Sequence, residues 1–84
     1  MNISGVVVRT FPRDIDTVTR ALSEFDGVEV HGANEDGRLV VTVEQRDERG
    51  TADLLVRMQD VPGVLSASMI YHHFEDLGQQ EAEQ

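Results

Sequence analysis

The chain has no cysteine, no lysine and no tryptophan. The missing thiols remove disulfides, a thiolate nucleophile and any cysteine-based metal or iron-sulfur centre. Seven arginines face 16 acidic residues, for a formal net charge of −9. A chain of that sign lacks the basic patch that phosphate binding needs, so the sequence predicts no nucleic-acid partner. Single-strand readers add exposed aromatics on their central strands, whereas the strand-like runs of this chain carry Val and Thr. No apolar run exceeds three residues, whereas a bilayer helix needs about 20. Met1 to Thr10 also lacks the basic start and long apolar stretch of a secretory signal. The expectation is a cytoplasmic protein without membrane insertion. Eighty-four residues make one domain, and one this small buries only about 60% of its unfolded surface, which favours a shallow site over a deep one.

What is present is a pattern that occurs twice. Val18, Leu22, Phe25, Gly27 and Val28 in the first half are matched by Leu54, Met58, Val61, Gly63 and Val64 in the second. Each half reads as an apolar strand, a helix with one apolar face, and a Gly-Val that opens another strand. The order βαββαβ implies an α+β fold, a ferredoxin-like sandwich whose four-stranded antiparallel sheet carries both helices on one face.

The elements follow from periodicity. Ile3 to Arg9 is β-branched and reads as a strand, and Pro12 supplies a φ suited to a helix start. Ile15, Val18, Leu22 and Phe25 form one stripe, predicting a helix that runs to about Phe25. Val28 to Gly32 and Arg38 to Glu44 make a hairpin around Ala33 to Gly37. A second helix lies between Asp47 and Asp60, weakened at its start by Gly50, and stops at Pro62-Gly63 before a last strand from Val64 to His72. The domain is residues 1–74. Residues 75–84, with Glu75, Asp76, Glu81 and Glu83, read as a disordered acidic polar tail. The charge that remains without them is still negative, which suits either solubility or a cationic partner.

In the expected strand order 4-1-3-2, strands one and three are central, and both carry consecutive valines. Alternation then puts Val6, Val8, Val28, Val30, Leu39, Val41 and Val43 under the helices. It puts Gly5, Val7, Glu29, His31, Val40, Thr42 and Glu44 on the open face. In strand four, Leu65, Ala67, Met69 and Tyr71 are expected in the core, leaving Ser66, Ser68, Ile70 and His72 outside. The candidate binding face is therefore apolar at Val7, Val40 and Ile70 and small at Gly5, Thr42, Ser66 and Ser68. Glu29, Glu44, His31 and His72 edge it, and the small floor would let a ligand backbone come close. A few exposed valines need no partner at all, and two such faces stacked as a homodimer would also account for them.

Catalytic and metal signals are weak. His72 and His73 are adjacent in a strand and point to opposite faces, and the interval to His31 matches no metal motif. Ser4, Ser23, Ser66 and Ser68 lack a nucleophile elbow, and Gly27, Gly32 and Gly37 lack the spacing of a phosphate loop. Acidic pairs such as Asp14/Asp16 and Asp47/Glu48 sit where helix caps belong. The sequence predicts no enzyme, no metal and no cofactor.

Ser4 to Val8, Gly27-Val28-Glu29-Val30, Leu39 to Glu44 and above all Val61-Pro62-Gly63-Val64-Leu65-Ser66-Ala67-Ser68-Met69-Ile70-Tyr71-His72 resemble the NapD-type maturation chaperones of periplasmic nitrate reductase. The resemblance covers nearly the whole chain. It implies a cytoplasmic, non-enzymatic chaperone of ferredoxin-like fold that binds the twin-arginine signal peptide of the reductase catalytic subunit. Such a chaperone delays export until the molybdenum cofactor is inserted. The residues agree in kind, since an arginine pair followed by an apolar helix suits an apolar strip with carboxylates beside it. The alternatives are a regulatory domain of the ACT type, which shares βαββαβ and binds small molecules, and a homodimeric interaction module. As a chaperone the chain is expected to be a monomer or a weak homodimer.

Overall fold

The computed structural model describes residues 2–74, so the expected tail at 75–84 lies outside the described residues. The strands are β1 (Asn2–Thr10), β2 (Val28–Ala33), β3 (Arg38–Gln45) and β4 (Val64–Phe74). The helices are α1 (Ile15–Leu22), entered through a 3-10 turn at Pro12–Asp14, and α2 (Glu48–Gln59). All neighbouring strands are antiparallel, in the order β2-β3-β1-β4. This is the ferredoxin-like α+β sandwich.

The core forms where the apolar stripes of the helices meet one face of the sheet. Val18 and Leu22 of α1 and Leu54 and Met58 of α2 are buried against Val6, Val8, Leu39, Val41 and Val43. Each buried side chain of this size contributes roughly 1.5–3 kcal/mol of transfer free energy, and the apolar periodicity of the strands decides which residues share in it.

Local chemistry sets the ends of the helices. Alpha-helix α1 stops at Leu22, three residues short of its apolar stripe, because the chain tightens there. The Ser23 hydroxyl donates to the Thr19 carbonyl at 2.8 Å, and the Phe25 N–H to the Leu22 carbonyl at 3.1 Å. Phe25 still packs on the core from the turn. At the start of α2, the Asp47 carboxylate accepts the Gly50 N–H at 2.8 Å, a cap of the kind worth about 1 kcal/mol. Gly27 adopts φ 81° and lies so close to the Glu44 carbonyl that a Cβ would overlap it. That close approach ties the first helix exit to β3.

Strand β4 departs from simple alternation. Its register with β1 slips between Gly5 and Val6 and again between Arg9 and Thr10, leaving Ile70 and Leu65 without partners in β1. An extra residue in a bulge moves every later side chain to the other face. The core set expected for this strand is corrected. Ala67 is buried, Leu65 is exposed at its bulge, Met69 keeps the covered side opposite Val6 but is 40% exposed on the edge strand, and Tyr71 is half exposed opposite Gly5 on the open face. His72, expected outside, lies on the helix side, where its Nδ1 is hydrogen bonded to buried Ser4 Oγ at 2.9 Å.

Candidate functional site

The open face is ordered in rows by strand register. Glu44 of β3 pairs with Ile3 of β1 at one end. The next row runs Glu29, Thr42, Gly5, Tyr71, and the one after it Gly32, Val40, Val7, Ser68. The last row holds Arg38, Arg9 and Ser66. Most residues expected on this face are therefore together on it: Gly5, Val7, Glu29, His31, Val40, Thr42, Glu44, Ser66 and Ser68. Ile70, the unpaired residue of the bulge between Met69 and Tyr71, is 58% exposed. His72 is not among them.

Two local interactions shape the face. His31 is the extra residue of a bulge in β2, and its Nε2 is hydrogen bonded to Thr42 Oγ1 at 2.7 Å, with the Glu29 carboxylate at 3.7 Å. Near Gly5 the space left by the missing side chain is taken by the Tyr71 ring, since a Cβ on Gly5 would collide with it. The expected bare floor at Gly5 is thus corrected to one covered by an aromatic ring. Filling a strand glycine with a neighbouring aromatic restores the packing that glycine lacks.

The apolar centre is exposed, with Val40 at 47% against complete burial of Val41 beside it. At the acidic end a cleft of about 320 Å³ opens between the face and the α1–β2 turn, lined by Ile3, Glu24, Asp26, Glu29, Thr42 and Glu44. Sequence reasoning missed Ile3, Arg9 and Arg38, although extending the same two-residue period by one step finds all three. It also missed Tyr71, for which no period suffices because the bulge precedes it.

The arrangement offers little to covalent chemistry. Ser4, His72 and Glu48 form a string, with His72 Nε2 lying 4.0 Å from a Glu48 carboxylate oxygen. Its hydroxyl end is fully buried, out of reach of a substrate, and the string fastens β4 to β1 and to the start of α2. Among the described residues no group of three or more His, Asp or Glu could hold a metal ion. No helix among them is long and apolar enough to cross a membrane.

A ferredoxin-like sandwich with one open face, apolar in the middle and charged at its ends, is the frame of a small binding protein. Comparison with known proteins narrows this to a single family. The family model described as NapD protein matches residues 1–76. Chaperone NapD of Escherichia coli strain K12 is 29% identical over 79 residues, covering 93% of this chain and 91% of that protein, and Chaperone NapD of Shigella flexneri matches equally. The solution structure of the E. coli Tat proofreading chaperone NapD superposes with a TM-score of 0.78 at 29% identity, over 93% of this chain and 83% of that one. The chain belongs to the NapD family.

Proposed function

We propose that this chain, a NapD-family signal-peptide-binding chaperone of nitrate reductase maturation, seats the twin-arginine signal peptide of the reductase catalytic subunit on its open sheet face. It works in the cytoplasm, without itself catalysing a reaction, and holds the peptide from export until the molybdenum cofactor is in place. The observation that carries this reading is the row of exposed Val40 and half-buried Val7, with Glu29 and Glu44 on the same face. E. coli NapD, described as a Tat proofreading chaperone, supports it by likeness.

The physics of docking divides between the two kinds of surface. An apolar helix laid over Val7, Val40 and Ile70 gains roughly 25 cal/mol for each Å² removed from water. Ordering a disordered segment takes back a large part of that gain, so the net affinity is well below the area estimate. Glu29 and Glu44 add steering and register for the guanidinium groups more than raw affinity.

The test is calorimetric titration of the purified protein with a twin-arginine signal peptide, with the same peptide carrying glutamines in place of both arginines, and with free amino acids. Saturable binding of the first, weaker binding of the second and none of the third is expected. Binding of free amino acids without binding of the peptide would overturn the reading in favour of a small-molecule sensor.

A further inference from the structure

Among the strand residues the two ends of the open face carry opposite charge, although the adjoining exposed turns carry the reverse sign, Glu35 and Asp36 before Arg38 and Arg46 after β3. Arg9 and Arg38 stand directly opposite each other across the central strands, an arrangement that destabilises a sheet. Both are exposed, and, like the other arginines among the described residues, neither is in an ion pair. At the other end, Glu29 and Glu44 face the same side, and Glu24 and Asp26 complete the cleft beside them.

From this asymmetry we infer that the face dictates the direction of its peptide. The peptide lies as a helix along the strands with its arginine pair in the acidic cleft and its C-terminal turn over Arg9 and Arg38. The inference rests on the proposed function and adds the orientation to it. A helix carries roughly half a positive charge at its N-terminus and half a negative charge at its C-terminus. In this direction the carboxylates meet both the guanidinium groups and the positive helix end, while the unsatisfied carbonyls of the last turn relieve the Arg9–Arg38 repulsion. The reverse direction sets like charge against like at both ends.

The length of the face fits. From Ile3 to Arg9 the strand rises about 20 Å at roughly 3.3 Å per residue. A helix covers that distance in about 13 residues. An arginine pair followed by an apolar segment of that length fills the face from cleft to basic end, with the Val40–Val7 row under its middle.

The absence of native cysteine allows a clean test. Arg46→Cys, in the exposed turn after β3, puts a nitroxide near the acidic end, and Glu35→Cys, in the exposed β2–β3 turn, puts one near the basic end. Each labelled protein is mixed with an isotopically labelled twin-arginine peptide, and its amide signals are recorded by NMR. The label at 46 should erase signals around the arginine pair and spare those at the end of the apolar segment, and the label at 35 should do the opposite. An exchanged pattern, or equal loss at both peptide ends from each label, overturns the orientation while leaving the docking face in place. No calorimetric binding of the peptide to the unlabelled protein would overturn the proposed function and the orientation with it.

Discussion

The two faces of the central strands β1 and β3 are built from almost the same residues and behave differently. Val6, Val8, Val41 and Val43 are fully buried, while Val40, one position from Val41, is 47% exposed. The difference lies in the cover, because α1 and α2 lie over one side only. An identical side chain is a stability element on one face and a contact element on the other, so substitutions on the two sides should separate folding from binding.

The largest contrast is expected from one charge placed on either face. Val41→Asp buries a carboxylate with no partner, an error costing several kcal/mol, and should abolish cooperative unfolding in urea. Val40→Asp should change stability by less than about 1 kcal/mol, as exposed substitutions usually do, yet weaken the twin-arginine peptide beyond detection by calorimetry. Loss of the folding transition in Val40→Asp would break the distinction between the faces.

Gly5→Ala probes the open face from within. The added methyl must displace the Tyr71 ring, an overpacking change expected to cost about 1–2 kcal/mol in denaturant unfolding. Combining it with Tyr71→Ala should relieve most of the clash. An unrelieved loss would place the strain in the backbone instead. On the covered face, Ser4→Ala removes the hydrogen bond to His72 and should cost roughly 1 kcal/mol. Its peptide affinity should be unchanged, because His72 lies on the helix side.

Smaller effects sharpen the picture at its margins. Added salt should weaken the native peptide and act less on a peptide with glutamines for arginines, since screening over about 8 Å acts on exposed ion pairs and not on apolar contact. Truncation after Phe74 should alter stability by less than about 1 kcal/mol, because the removed segment has only Leu77 as a sizeable apolar side chain. A larger loss would show that Leu77 packs on the domain.

The two edge strands show where sequence reasoning holds. Both open with Gly-Val after a helix, at Gly27-Val28 and Gly63-Val64, and both glycines take positive φ. In β2, Glu29 falls on the open face as alternation predicts, and the bulge at His31 keeps that side chain beside Thr42 on the same face. In β4 two register breaks intervene before the strand ends. Alternation counted from Ala67 fails beyond the second of these along the chain, at Ile70, which is why Tyr71 and His72 exchange faces relative to expectation.

The sequence by itself determined the βαββαβ order, the apolar stripes of both helices and the inward valines of β1 and β3. Each of these follows from a repeat of about 3.6 or two residues along a continuous element. Only the tertiary structure decided the register of β4 against β1, the seating of Tyr71 over Gly5 and the tie between Ser4 and His72. It also set Arg9 against Arg38 at one end of the face and gathered the carboxylates at the other. A bulge depends on how two distant strands share their hydrogen bonds, and a charge pattern across a sheet depends on which residues that sharing sets side by side. Neither quantity is carried by the spacing of residues within one strand.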